Sequence, residues 1–474
     1  MVNDQSVAFA QSKRAYIIAP AGCGKTEFIA LAVMQGNKGR ELVLTHTHAG
    51  VKAIRDRMAK YAVPKERYRV ETIASWALAY AAHYPGLSCL PDDHPVGEAW
   101  CAVYDACRRV LHSKAVHRVV RETYSGLYVD EYQDCTTDQH QLIMALADLL
   151  PCRILGDPLQ GIFDFGGQQI VNWAIDIKPH FERLPDLITP WRWQCHNPEL
   201  GRWLLEIRTA LLSGEAFDLS AGPINWQKLT EPSQRKACFD LAKGSSTSVV
   251  AIYDWPNRCH KFARALKGVF TSMEEMECHD LIEWTTRIPD AKGPLRAETV
   301  IAFASCCMTL VSTELATLRK RLIQGEDPEF KYAKKYPEVV KALKQVAKDE
   351  SLISVSSAMN AIERIPGRVL YRRELWREMA KSLELYRMGI GETLAEAAWE
   401  ARNRMRHIGR RVERRTVSRT LLVKGLEFDH AVVLNAGLLD AKNLYVAMTR
   451  GSRSLTVFSE KPILQLSMPA VAVM

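Results

Sequence analysis

The feature that most constrains the fold is a glycine-rich segment between a short apolar run and a helical pattern. The apolar run covers residues 16–18, and residues 19–26 follow it with the sequence APAGCGKT. Glycines at 22 and 24 allow a tight turn in which consecutive backbone N–H groups point at one ligand. A helix that starts near Lys25 adds the positive end of its dipole. The pattern predicts a phosphate-binding loop, or P-loop, between a buried parallel strand and a helix.

The residue types in this loop indicate a nucleoside triphosphate as the ligand. Lys25 is expected to reach the β- and γ-phosphates, and Thr26 to offer its hydroxyl to Mg²⁺. A chance glycine-rich turn is disfavoured because a strand and a helix flank the segment. The predicted nucleotide contacts in the loop are Ala21, Gly22, Cys23, Gly24, Lys25 and Thr26.

An acidic segment stands about a hundred residues further on, again after an apolar run. Residues 127–129 read LYV, and residues 130–134 read DEYQD. Asp130 is predicted to contact Mg²⁺ directly or through water, and Glu131 to orient or deprotonate the attacking water. Two adjacent acids alone are common at solvated strand ends. Together with the P-loop, they predict hydrolysis of ATP with Mg²⁺.

Length and composition limit the class of protein. A chain of 474 residues predicts two to four domains, and 47% hydrophobic with 25% charged residues is ordinary for a globular protein. No apolar run is long enough to span a bilayer, and the first residues lack the pattern of a signal peptide. Twelve cysteines occur without CxxC pairs. We therefore expect a reduced, cytoplasmic protein with no membrane partner.

Alternating strand and helix patterns predict the α/β class, with two parallel-sheet domains that each carry a helical insertion. The first region has predicted strands at 15–19, 41–45, 68–72, 126–130 and 153–156, and helices at 25–35, 49–60, 73–83 and 138–150. The second region has predicted strands at 187–190, 247–253, 430–435 and 454–459, and helices at 197–212, 257–267 and 441–450. The intervals 84–123 and 272–404 have a helical and charged character, which predicts the two insertions.

An arginine-rich run is the densest charge on a chain whose formal net charge is +9. Eight arginines lie between Arg402 and Arg419, with Glu413 as the only acid. Such a run is usually a solvated helix face, but it is also the composition of a nucleic-acid contact. The sequence leaves both interpretations open.

Further motifs follow in an order that resembles the superfamily 1A helicases of the UvrD, Rep and PcrA type. Besides the P-loop and the acidic segment, they are Asn3 with Gln5, LTHTHA at 44–49, TIASW at 72–76, GDPLQGIFDF at 156–165, WRW at 191–193, KGLEFD at 424–429 and LYVAMTR at 444–450. The resemblance covers both predicted sheet domains. It implies RecA-like motor domains 1A (1–83 and 124–185) and 2A (186–271 and 405–474), with reduced helical insertions 1B (84–123) and 2B (272–404).

The resemblance also implies roles for individual residues. Gln5 would contact adenine, Gln160 would sense the γ-phosphate, and Glu427 would belong to the nucleotide site. Arg192 and Arg450 would reach the γ-phosphate from domain 2A, as planar guanidinium groups can. Implied nucleic-acid contacts are Thr47, His48, Thr72, Ser75 and Phe165, the last by stacking on a base.

The function implied by this resemblance is ATP-dependent 3′→5′ translocation on single-stranded DNA or on DNA with a 3′ tail, in repair or anti-phage defence. The short insertions are similar to those of the compact helicase-like subunits of Gabija anti-phage systems, whose partner is an OLD-type TOPRIM nuclease. A DNA-responsive ATPase that controls such a nuclease and unwinds poorly is the alternative. An RNA translocase is a third hypothesis.

Overall fold

The computed structural model describes residues 2–36, 38–90, 95, 99–163, 169–244, 246–275, 278–326, 335–349, 351–408 and 410–466. The chain divides into two compact units. The first unit takes Met1–Trp226, Leu439–Ser454 and Lys461–Met474, and the second takes Gln227–Leu438 and Leu455–Glu460. These bounds differ from the four domains expected from the sequence, which remain a prediction.

A six-stranded parallel sheet forms the centre of the first unit. Its strands are β1 (Arg14–Ile18), β2 (Glu41–Thr45), β3 (Tyr68–Thr72), β4 (Gly126–Val129), β5 (Cys152–Gly156) and β6 (Glu182–Arg183), in the order β3-β2-β4-β5-β1-β6. Because the strands are parallel, all their carboxyl ends lie at one edge of the sheet. Ligands of open α/β sheets bind outside this edge.

The remaining strands form a second six-stranded sheet and a two-stranded ribbon. They are β7 (Ala216–Asp218), β8 (Asn225–Lys228), β9 (Val249–Tyr253), β10 (Thr271–Ser272), β11 (Arg415–Arg419), β12 (Phe428–Val433), β13 (Gly451–Ser459) and β14 (Ile463–Gln465). The second sheet has the order β10-β11-β9-β12-β13-β8, and β10, β11, β9 and β12 run parallel. Strands β7 and β14 pair antiparallel. The predicted α/β class with two parallel sheets is confirmed.

Helices account for most of the remaining regular structure. In the first unit they begin with α1 (Val2–Gln11), α2 (Lys25–Gln35), α3 (His48–Lys60), α4 (Ile73–His83), α5 (Pro85–Ser88), α6 (Ala99–Leu111), α7 (Lys114–Thr123), α8 (Thr137–Ala147), α9 (Trp191–Gln194) and α10 (Pro198–Ser213). In the second unit they are α11 (Glu231–Leu241), α12 (Pro256–Ala265), α13 (His279–Asp290), α14 (Gly293–Cys307), α15 (Val311–Glu314), α16 (Ala316–Ile323), α17 (Pro337–Lys348), α18 (Ile353–Glu363), α19 (Arg373–Arg387), α20 (Leu394–Ile408) and α21 (Thr420–Val423). Helix α22 (Ala441–Met448) returns to the first unit, and no described helix is both long and apolar enough to cross a bilayer.

Helices cover both faces of the first sheet because its strands are apolar on both sides. Tyr16 and Ile18 of β1 face a core shared with α4, α6 and α8. Ala15 and Ile17, the alternate residues, face a second core shared with α1, α2 and α3. This two-sided burial fixes the strand register, since a shift by one residue would exchange the two faces.

One predicted strand, 187–190, is wrong. The segment 184–190 has no strand; instead, Glu182–Arg183 pairs with β1, and Leu184 N and Leu187 N each donate one hydrogen bond of 3.0 Å, to Tyr16 O and Ile18 O. Pro185 and Pro190 explain the difference, because proline has no N–H to donate to a ladder. Helices 25–35 and 73–83 and strands 41–45 and 68–72 have the predicted bounds.

The arginine-rich run extends from α20 through a connecting segment into β11, so it does not form one solvated helix face. Arg402 is 3% exposed and lies 3.5 Å from Glu374, and Arg410 approaches the same carboxylate at 3.0 Å. Arg419 pairs with Glu275. All of these residues belong to the second unit. These three arginines are therefore held in internal ion pairs and are not displayed for a nucleic acid.

Candidate nucleotide-binding site

The P-loop connects β1 to α2 and takes the backbone conformation that its glycines predict. Gly22 and Gly24 have φ angles of +72° and +84°, in the region that side chains disfavour. A Cβ atom on Gly22 would also lie 2.5 Å from the ring of Trp193. Gly24 is the N-cap of α2 and Phe28 N donates to its carbonyl at 2.9 Å, so the helix begins directly at the loop.

Lys25 is buried at the start of α2, beside the acidic segment. Its Nζ donates to Ala19 O at 3.2 Å and lies 3.5 Å from Glu131 Oε1. Burial alone would lower the pKa of Lys25, but the carboxylates of Glu131 and Asp130 outweigh it, and the pKa is raised. The ammonium group is therefore kept charged in a buried place, as a phosphate-binding lysine must be.

Asp130 directly follows β4 and is 4% exposed. One of its oxygens accepts a 2.9 Å hydrogen bond from Glu131 N. Burial and the neighbouring Glu131 raise the pKa of Asp130, Lys25 opposes both, and the net pKa is about 7. Two adjacent carboxylates supply the oxygen ligands that a hard divalent cation prefers.

Glu131 has a backbone φ of +54°, which is unusual for a residue with a side chain. Its carboxylate accepts a hydrogen bond from Gln133 Nε2, while Gln133 Oε1 accepts one of 2.9 Å from Asp157 N. Gln133 thus joins the ends of β4 and β5. Uncommon backbone conformations concentrate at functional sites, where the surrounding structure holds them.

Asp157, directly after β5, anchors Gln160. Asp157 is fully buried, and its Oδ2 accepts a 3.1 Å hydrogen bond from Gln160 Nε2. Its other oxygen accepts one of 2.9 Å from Arg208 Nη2. Sequence reasoning missed Arg208. The signal was available, since Arg208 interrupts the face of α10 that carries the buried Leu204, Ile207 and Leu211.

The segment that contains Arg192 packs on the P-loop. Arg192 N donates to Gly22 O at 3.1 Å, and its Nη1 donates to Thr449 O at 2.7 Å. Close to Thr449 in the sequence, Tyr445 also contacts the loop: its hydroxyl accepts a 3.2 Å hydrogen bond from Ala21 N. These residues all belong to the first unit, whereas the prediction assigned Arg192 and Arg450 to domain 2A.

Arg450 is 1% exposed at the end of α22. Its Nε donates to Val446 O at 2.8 Å and its Nη2 to Thr449 Oγ1 at 2.9 Å. Thr449 therefore contacts both predicted arginines, through its carbonyl with Arg192 and through its hydroxyl with Arg450. Their predicted contact with the γ-phosphate remains a prediction.

The other predicted nucleotide contacts lie in different parts of the structure. Cys23 is buried, which raises the pKa of its thiol to about 12, and Thr26 is half-buried. Gln5 Nε2 donates to Pro185 O. Glu427 is exposed and lies in the second unit. A residue that sequence reasoning missed is Trp191, which is 51% exposed and whose ring lies 3.2 Å from a Cβ built on Gly24.

The predicted nucleic-acid contacts lie at the same edge of the first sheet, after β2 and β3. Thr47 and His48 are exposed, and Thr47 caps α3 by accepting a 3.0 Å hydrogen bond from Gly50 N. Thr72 is buried and caps α4, accepting from Ser75 N at 3.0 Å and donating to Ser75 Oγ at 2.7 Å. Phe165 lies outside the described residues.

Residues 3–166, which contain the P-loop and the acidic segment, match the family model of an AAA domain. No curated protein matches the chain. Among solved structures, the chain is similar to the Pif1 helicase from Bacteroides, which was crystallised with ADP-AlF3 and ssDNA, at 14% identity and a TM-score of 0.32, covering 55% of each chain. It is also similar to the arterivirus nonstructural protein 10 helicase, at 11% identity and a TM-score of 0.30, covering 96% of this chain and 61% of that chain. The Pif1 helicase from Candida albicans is similar at 12% identity and a TM-score of 0.32, covering 57% of this chain and 55% of that chain. The chain thus spans little more than half the length of these proteins.

Proposed function

We propose that this protein hydrolyses ATP with Mg²⁺ and uses the energy to move along single-stranded DNA. The observation that carries the proposal is the convergence of Lys25, Asp130, Glu131 and Gln160 at the carboxyl edge of one parallel sheet. A buried lysine, a buried carboxylate with a partly exposed one beside it, and a glycine turn with positive φ support a phosphate and cation site.

The residues fit a magnesium nucleotide. The backbone amides of the P-loop and the buried Lys25 would bind the phosphates, and Thr26 with Asp130 would hold Mg²⁺. The cation neutralises phosphate charge when it is bound. Glu131 would accept the proton of the attacking water, and Gln133 holds its carboxylate in place. The exposed Trp191 beside Gly24 offers an aromatic face to the base.

In its finer form, the proposal is a 3′→5′ translocase or helicase of the UvrD type, acting in repair or in anti-phage defence with an OLD/TOPRIM-type nuclease. The order of the motifs and the AAA-domain match support a motor of this kind. The placement of Thr47 and His48 at the nucleotide edge supports coupling between DNA contact and hydrolysis.

A DNA-responsive ATPase that regulates a nuclease is the second candidate. It is favoured by Thr72, which is buried and whose hydroxyl is hydrogen-bonded to Ser75, so that this pair stabilises the start of α4. A motor with fewer DNA contacts would grip the strand weakly and unwind poorly.

Steady-state ATPase activity with and without single-stranded DNA tests the proposal. We expect stimulation by the DNA, and a loss of about 10²-fold or more in Lys25→Ala, because a charged donor to the transferred phosphate is removed. Lys60→Ala is the matched control, since Lys60 is exposed and pairs only at the surface with Glu27. Hydrolysis that depends on Lys25 but ignores DNA would contradict the DNA motor. Stronger stimulation by RNA would favour the RNA translocase.

Unwinding of forked duplexes tests the polarity. A duplex with a 3′ single-stranded tail should be unwound faster than a matched one with a 5′ tail. Preference for the 5′ tail would contradict the 3′→5′ direction while leaving the motor intact. Failure on both substrates, together with DNA-stimulated hydrolysis, would favour the regulatory ATPase.

A further inference from the structure

A cavity of about 700 Å³ lies within the second unit, and the nucleotide site does not use it. Two helices and a turn form its walls. Helix α18 contributes Ser356, Asn360 and Glu363, which are spaced so that they lie on one helix face. Helix α19 contributes Arg373 and Arg377 with the same spacing. A volume of this size is typical of sites for small molecules.

The lining of the cavity is strongly basic. Lys267, Arg368, Arg373 and Arg377 contribute four cations, against the single carboxylate of Glu363. That carboxylate is already engaged, since it accepts a 2.9 Å hydrogen bond from Trp376 Nε1 and lies 3.9 Å from Arg368. The lining therefore has more positive charge than its own acids neutralise.

Acids outside the lining reduce this excess but do not remove it. Glu413 is shared by Arg377 at 2.8 Å and Arg373 at 3.7 Å, so one carboxylate serves two guanidinium groups. Lys267 is exposed, and no described residue pairs with its ammonium group. Free positive charge facing a concave space is suited to an anion.

The position of Arg373 points to the same ligand chemistry. Arg373 is the first residue of α19, a helix of 15 residues whose N-cap makes no side-chain capping hydrogen bond. A cation at the N-terminus of a helix is opposed by the helix dipole, whereas an anion there is favoured. Bound phosphate would compensate both the dipole and the arginine.

The turn that carries Lys267 is built to fit against the opposite wall. Lys267 and Gly268 have φ angles of +51° and +79°, and a Cβ on Gly268 would lie 2.0 Å from Val369 Cγ1. Only glycine allows this approach, which holds Lys267 at the cavity and beside the segment that contains Arg368.

We propose that this cavity binds a compact ligand with at least two linked phosphate groups, such as a nucleoside polyphosphate or inorganic polyphosphate. The four cations come from a turn, a connecting segment and a helix, so they surround one space and do not follow a line. This arrangement suits a short phosphate chain better than an extended nucleic-acid strand, which requires a groove that tracks its backbone. The site is independent of the function proposed above.

Calorimetric titration with inorganic tripolyphosphate tests the proposal in the full chain. The titration uses Lys25→Ala protein, so that the P-loop does not contribute. Adding Lys267→Gln and Arg373→Gln should weaken tripolyphosphate binding at least about tenfold, since two charge-assisted contacts are lost. The matched control adds Lys236→Gln and Lys243→Gln, two exposed lysines of the same unit outside the cavity, and should bind as before.

The single variant Lys267→Gln guards against a folding defect, because Lys267 is exposed and its removal breaks no ion pair. It should also weaken binding, and tripolyphosphate should slow deuterium uptake in peptides that cover residues 353–380. Equal affinity in the cavity and control variants would overturn the proposal. So would a cavity variant that loses affinity for a single-stranded oligonucleotide but not for tripolyphosphate, because the site would then bind nucleic acid.

Discussion

The nucleotide site of the first unit and the network around Arg372 in the second unit both bury charged side chains, but they balance them in opposite ways. In the first unit, the buried carboxylate of Asp130 and the partly exposed one of Glu131 are neighbours of like charge, and Lys25 lies beside them. In the second unit, the buried Arg372 donates to both oxygens of Glu274 at 2.9 and 2.6 Å, and to Asp280 at 2.6 Å. Opposite charges are thus matched around Arg372, whereas like charges are neighbours at the nucleotide site.

This difference separates a site that awaits a ligand from an internal structural contact. Like charges that lie close together destabilise the folded state, so they are typical of functional sites. They also shift pKa values, as the raised pKa of Asp130 illustrates. A bidentate arginine–carboxylate pair satisfies its own partners and leaves nothing for a ligand. We therefore expect substitutions at the nucleotide site to impair catalysis and substitutions around Arg372 to impair folding.

The largest effect is expected for Glu131→Gln in the first unit. Removing a general base typically lowers kcat by about 10²- to 10⁴-fold, and the amide keeps the shape of the side chain. ATP binding, measured by equilibrium titration, should change little because Lys25 and the P-loop remain. Glu122→Gln, at an exposed position on α7, is the control. An unchanged kcat would show that Glu131 is not the base and would weaken the contrast.

In the second unit, Arg372→Ala should destabilise the fold by about 3 kcal/mol, because it leaves Glu274 and Asp280 as buried or partly buried uncompensated acids. Urea denaturation followed by circular dichroism measures the change. Arg404→Ala removes an exposed pair with Glu400 and should cost about 0.5 kcal/mol or less. Equal effects of the two substitutions would mean that the buried network contributes no more than a surface pair.

The sequence predicted that the glycine-rich and acidic segments lie together, as they do in the structure, because its signals are local. Each of the segments 19–26 and 130–134 is a short run directly after a strand, and a parallel sheet brings such strand ends together. The bounds of α2 and α4 were also predicted, since glycine and threonine N-caps mark their starts.

The parts that the sequence did not reveal depend on partners distant along the chain. Arg208 meets Asp157 across 51 positions, and Arg402 meets Glu374 across 28. An arginine that is about to be buried by a distant acid cannot be distinguished in the sequence from a solvated one. The arginine run therefore suggested a surface where the structure holds Arg402, Arg410 and Arg419 in internal ion pairs.

The variant Asp130→Asn tests the comparison through the pH dependence of the free energy of unfolding. The folded-state pKa of Asp130 is raised to about 7 by burial and by Glu131, above its ordinary value of 3.8. The unfolded chain therefore releases this proton first, and the free energy of unfolding should fall as pH rises from about 4 to 7. With a metal chelator present and no nucleotide, Asp130→Asn should remove this loss. The variant should then be at least about 1 kcal/mol more stable than the unsubstituted protein at pH 8. A steeper decline in the variant would contradict the raised pKa.

The smallest effect is expected at a group in the second unit that has the residue types of a metal site. His260, Glu274 and Asp280 offer ligand atoms within 4.8 Å of one another. Arg372 already donates to both carboxylates, so a cation would have to displace a guanidinium group. We expect His260→Ala to change Zn²⁺ affinity, measured by calorimetry, no more than the exposed control His83→Ala does. A loss of about tenfold or more for His260→Ala alone, the size expected for a group that supports a metal, would show that the network around Arg372 also holds charge for a ligand.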